Sequence, residues 1–227
     1  RLSDSTPYDS QVQTAIEYSK RKIKKSAMKK FSDILSAIFH PLLIPLFAFG
    51  LLFVFTYLNI MPFQYIAFVL SIVATFTLLA PLLFISLYKR MNHLSMEDLS
   101  ERKKRFIPYI LTMMSYATCL LTMYKMHFPY YFSSIIVAAL MSLIICTLLN
   151  FRWRISIHLA GCGLLISGLI AYSFLFYFNP VWWLCGLILL SGFQGTARIS
   201  YHQHTLFEIF AGFIVGMFCG IIGILFI

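Results

Sequence analysis

The stretch ARISYHQHTLFEIFAGF, residues 197–213, sets an arginine, two histidines and a glutamate at the mouth of an apolar run. Arg198, His202, His204 and Glu208 are residue types that do phosphate and proton chemistry. A planar guanidinium donates two parallel hydrogen bonds to two oxygens of a phosphate. An imidazole is a nucleophile or a proton donor near neutral pH. His204 and Glu208 are four apart, so on a helix they share a face. A carboxylate there can hold one ring nitrogen and make the other more basic. Two further stretches carry related residues. ERKKRFIP, 101–108, brings Arg102 and Arg105, and NFRWRISIH, 150–158, brings Ser156 and His158 behind Arg152 and Arg154.

These groups are islands in an oily chain. The 227 residues are 60% hydrophobic and only 11% charged, against about 25% charged in a soluble globular domain. Apolar runs of about 20 residues are long enough to cross a bilayer as helices, and period-2 barrel strands are absent. The expected fold class is therefore all-α: a polytopic membrane helix bundle of six or seven transmembrane helices. The spans are predicted near 34–58, 62–87, 106–124, 130–149, 155–178, 181–196 and 205–227. Pro41 and Pro45 kink the first or mark a re-entrant start, and Asn179-Pro180 reads as a turn. The domain count is one, residues 34–227, preceded by a basic amphipathic helix at 1–33 that lies on anionic lipid. That segment is polar throughout and does not read as a cleaved leader.

The formal charge of +10 raises the possibility of nucleic acid. The positive residues flank apolar spans, however, so anionic headgroups and membrane orientation are the better account, and no nucleic-acid partner is expected. Two spans separate the loop at 89–105 from that at 150–158, and two more separate the latter from 197–204. An even number of crossings returns the chain to one side. All three polar loops then open on one membrane face, with every Lys/Arg except Lys125. The positive-inside rule makes that face cytoplasmic, in a bacterial inner membrane.

The residues quoted resemble the type 2 phosphatidic acid phosphatase superfamily, the lipid phosphate phosphatases and vanadium haloperoxidases. Its third motif is Ser-Arg, five residues, His, three residues, Asp; Arg198, His204 and Glu208 keep that spacing. Its second, Pro-Ser-Gly-His, is echoed by ISIH with Ser156 and His158. Its first, Lys, six residues, Arg-Pro, is represented by the cluster ERKKRFIP. The resemblance covers roughly residues 89–227. It implies His204 as the nucleophile that forms a phosphohistidine, Glu208 as its orienter, and His158 as the acid for the leaving oxygen. It implies Arg198, Ser156, Arg105 and Arg102 as phosphate ligands, His202 as a possible substrate contact, and no metal or other cofactor. The implied activity is hydrolysis of a lipid phosphate or pyrophosphate in phospholipid metabolism. Many members of the family face outward, against the charge argument. Ala197 replaces the motif serine, and Ile155 and Ile157 replace the proline and glycine.

Two other functions compete. One is a catalytically inactive phosphatase-like subunit that binds lipid or a protein partner, which the motif departures favour. The other is a metal-dependent membrane hydrolase built on His158, His202, His204 and Glu208; H-x-x-x-E is a weak signal for it. The remaining polar and small residues read as structural. The five cysteines are small buried hydrophobes, and His40 is a buried, satisfied histidine beside Pro41. Val181-Trp182-Trp183 is an interfacial aromatic belt. Gly212, Gly216 and Gly220 permit close helix packing or an oligomer contact.

Overall fold

The computed structural model describes residues 40–91, 106–153, 155–200 and 205–225, together with Ser19. The elements below all belong to the unit Phe39–Ile227. Every regular element among the described residues is helical. The helices are α1 (Ile44–Phe55), α2 (Phe63–Met91), α3 (Phe106–Lys125), α4 (Tyr130–Asn150), α5 (Ile157–Phe176), α6 (Val181–Ser200) and α7 (Leu206–Leu225). The chain is a membrane-embedded helix bundle. Five of its helices, α2 to α5 and α7, are long and apolar enough to cross a membrane.

The other two of the seven expected spans differ for physical reasons. Helix α1 has 12 residues, a rise of about 18 Å against a hydrocarbon core of about 30 Å. It starts after the turn at Pro41 and stops at Thr56, whose hydroxyl donates to the Leu52 carbonyl and accepts from the Leu58 N–H of a short 3₁₀ turn. Residues 34–39 of that expected span lie outside the described residues. Helix α6 has 20 residues, but Gln194, Thr196, Arg198 and Ser200 make its last two turns polar. It also runs four residues past its expected end, so Arg198 sits in a helical last turn and not in a loop.

Helix α2 contains a π-turn at Thr75–Leu79, with the Ala80 N–H bonding the Thr75 carbonyl. In that register the Phe76 carbonyl faces Pro81, which has no N–H to give. The Ser115 hydroxyl of α3 donates to it instead. A bare carbonyl in a low-dielectric interior is costly, so this bond fixes α3 against the bend in α2.

The tightest packing is between α5 and α7. A Cβ built at Gly216 would overlap the Ala160 carbonyl, one at Gly220 the Ser167 hydroxyl, and one at Gly163 the Phe213 carbonyl. Gly212 meets the Ser156 carbonyl in the same way. Lipid tails are as apolar as leucine, so helices associate in a membrane by close packing, which small residues allow. The glycine stripe of α7 thus lies buried against α5 within one chain. At the other end of the bundle the Tyr172 hydroxyl donates to the Tyr131 carbonyl at 2.6 Å and lies 3.0 Å from the Ser134 hydroxyl, joining α5 to α4. The Asn179 side chain accepts from the Val181 N–H and starts α6, as the Asn-Pro turn predicts. Trp182 and Trp183 are exposed beside it, as an aromatic belt requires.

Candidate functional site

His158 stands in the first turn of α5, and Ser156 is the residue that precedes that helix. Three hydrogen bonds hold this short segment. The Ile155 N–H bonds the Trp153 carbonyl, the Ala160 N–H bonds the Ser156 carbonyl, and the Ser156 N–H bonds the Glu208 carbonyl at 3.3 Å. The last of these ties the second motif to the first turn of α7, where the third ends. Ile155 and Ser156 are both buried. The Ser156 hydroxyl has no hydrogen-bond partner among the described residues, a costly condition for a buried polar group.

Glu208 is half-buried in the first turn of α7. Its carboxylate accepts from the Thr205 N–H at 3.1 Å, while its own N–H lies 3.4 Å from the Thr205 hydroxyl. This is a reciprocal capping box, Thr-x-x-Glu, in which each side chain satisfies the other's backbone donor. The carboxylate also sits where the positive end of the helix dipole favours a negative charge. The carboxylate expected to orient His204 therefore also serves to start α7, the helix that carries Glu208.

His158 and Arg198 come together. Both line one cavity of about 590 Å³, within the usual range of ligand pockets. Residues 40 apart in sequence meet there because α5 begins, and α6 ends, at the same end of the bundle. Four other elements agree with that polarity. His40 precedes α1, Ile85 lies late in α2, Pro108 and Tyr109 open α3, Cys146 is late in α4, and all of these line the cavity too. The helix ends named here thus meet around one cavity. Below its polar mouth the cavity runs past Thr112, Tyr116, Ser142 and Leu143, a wall of hydroxyls and apolar side chains.

His202, His204, Arg102, Arg105 and Arg154 lie outside the described residues. Pro108, three positions after Arg105, lines the cavity, and Thr205, next to His204, caps α7. Arg152 is exposed and is not among the described lining residues; nor are Ser156 and Glu208. The metal-site alternative needs His202 and His204, and among the described residues no three His, Cys, Asp or Glu side chains could share an ion.

Sequence reading misplaced Cys185, which is exposed while the other four cysteines are buried, and, more consequentially, His40. It is not buried: it is exposed at the cavity mouth, with its ring edge-on to that of His158 at a centroid separation of 5.7 Å and 89° between planes. Burial of the ring's inner side by surrounding protein, and secondarily the positive Arg198, push its imidazole below the usual histidine value. No spacing rule links position 40 to 158, since the pairing depends on how the short α1 lies on α5. Nothing in the sequence could have signalled it beyond a lone histidine at the head of an apolar run. No protein-family model matches the chain, and no curated protein or solved structure matches it.

Proposed function

We propose that the chain is an integral membrane phosphatase that hydrolyses a lipid phosphate or pyrophosphate through a phosphohistidine. The observation that carries the reading is the shared cavity of His158 and Arg198, a proton donor and a bidentate cation converging from two distant segments. In the proposed reaction Arg198, with Arg102 and Arg105, neutralises the phosphoryl oxygens. The His204 imidazole nitrogen attacks phosphorus, and the bond from phosphorus to the leaving oxygen breaks. His158 gives that oxygen its proton. Water then attacks the phosphohistidine, His158 takes the water's proton back, and phosphate leaves with His204 restored. Phosphoryl transfer is mostly positioning and charge neutralisation, so this inventory suits it without a metal.

The lipid tail is held by the apolar spans, and the site opens to the cytoplasmic face that the positive charges select. The test is phosphate release by purified protein in detergent from a panel of lipid phosphates and pyrophosphates. Release is expected from the wild type, none from His204→Ala, and a loss of about 100-fold or more in kcat/KM from Arg198→Gln. Release that survives His204→Ala overturns the mechanism.

A second reading is favoured by the capping box, which already engages the Glu208 carboxylate, and by Ile155, Ile157 and Ala197 at motif positions. It is an inactive phosphatase-like subunit that binds an anionic lipid or a membrane protein partner. Vanadate separates the two, because it inhibits and binds an intact phosphate site and leaves a lost one unaffected.

A further inference from the structure

His40 belongs to no motif, yet it is the described side chain nearest in character to His158 at the cavity mouth. Its geometry says which atom is free to act. The Leu42 N–H points at Nδ1 from 3.4 Å, and the Leu43 N–H bonds the His40 carbonyl at 2.8 Å, closing the turn through Pro41. A ring nitrogen that accepts a hydrogen bond carries no proton, so the neutral ring holds its hydrogen on Nε2. Protonating Nδ1 would set two hydrogens against each other. The turn therefore presets a neutral imidazole with one outward donor, Nε2–H, beside Arg198 and His158. The other titratable groups facing the same cavity are Tyr109 and Tyr116 from α3 and Cys146 from α4. None of them is an anion near neutral pH, so nothing in that set competes with a bound anion for this donor.

We propose that His40 is a further ligand of the site, donating from Nε2 to an oxygen of the phosphate-class anion that Arg198 binds. The inference rests on the phosphatase reading of the cavity and adds to it a residue from the opposite end of the sequence. The division of labour follows from the tautomer. A ring locked as a neutral donor binds without exchanging protons, which leaves proton transfer to His158.

The test uses the purified full chain in detergent, with two substitutions that split the imidazole in half. Asparagine keeps an acceptor at the Nδ1 position, able to hold the Leu42 N–H in an Asx turn, and loses the outward donor. Glutamine places an amide N–H near the Nε2 position and loses the turn acceptor. Titration calorimetry reads affinity for inorganic phosphate, and for mixed micelles of phosphatidic acid against phosphatidylcholine. The expected result is about a 10-fold loss in His40→Asn, the worth of one hydrogen bond to a charged group, and affinity within about 3-fold of wild type in His40→Gln. A purely structural role in the turn gives the reverse order.

A loss confined to phosphatidic acid identifies a lipid headgroup as the ligand, and an equal loss on inorganic phosphate identifies phosphate itself; both support the inference. Wild-type affinity in His40→Asn, while Arg198→Gln no longer binds, overturns the role of His40 and leaves the site reading standing. Equal losses in the Asn and Gln variants, at unchanged unfolding temperature, overturn the donor assignment. Absence of binding by the wild type to either ligand overturns the site reading and this inference with it.

Discussion

Helix α5 has two faces of opposite character. The face toward α7 is packed until backbone touches backbone: Gly163, Gly212 and Gly216 leave no room for even a methyl group. The face toward α1, α3 and α4 borders about 590 Å³ of open cavity. The contrast shows how a membrane protein can hold a cavity wall rigid while keeping room beside it for a ligand. The closed seam fixes the two segments that carry His158 and Glu208, and the Ser156 to Glu208 backbone bond locks their ends together. The open face leaves volume for a ligand. Because seam and cavity lie on one helix, changes to each should separate cleanly in stability and function.

The largest effect is expected at the seam. Gly216→Leu drives a side chain into the Ala160 carbonyl, and backbone cannot give way as a flexible side chain can. A stability loss of at least about 3 kcal/mol is expected in detergent unfolding, with loss of any ligand binding. A variant that unfolds like the wild type would show that α5 and α7 are not held by this contact. Next comes Ser115→Ala, which bares the Phe76 carbonyl left by the π-turn. About 1–3 kcal/mol should be lost, and a neutral result would mean that another donor reaches that oxygen.

The cavity side should behave oppositely. Ala139 of α4 lines the cavity, so Ala139→Leu fills open volume: stability is expected to stay within about 1 kcal/mol of wild type, while the lipid-phosphate turnover of the proposed function falls. Full turnover with the larger side chain would place the ligand elsewhere. The smallest effect concerns pH. His40 has its imidazole value lowered by burial and then by Arg198, so the unfolded chain takes up this proton first. Stability should therefore decline as pH falls from about 6.5 through the lowered folded value. Screening at the exposed ring edge keeps the change to no more than about 2 °C in unfolding temperature. The decline should be absent from His40→Gln; its persistence there would assign the titration to another group.

Much of the scaffold was legible in the residues. Five apolar runs became crossing helices within a few positions of their predicted ends. The Asn179-Pro180 turn and the exposed Trp182 and Trp183 also matched. The glycine stripe was legible as a packing surface but not by partner, because spacing of four says that a face is smooth and not which helix covers it. Length misled at α1, where the apolar run continues but Thr56 and the following turn end the helix. The reading also fell short at α6, where residues 197–200 were read as the start of a loop while the helix continues through them.

The sequence by itself determined the membrane class, the positions of most helices and the type of chemistry available to Arg198, His158 and Glu208. Those properties follow from local composition and from spacing along one helix, which a single segment already contains. Only the tertiary structure decided that His158 and Arg198 share a cavity and that α7 closes on α5. It alone showed that Glu208 caps its own helix and that His40 stands edge-on to His158. Each of these depends on how rigid helices meet across the bundle, and the contact between two surfaces is written in neither one alone.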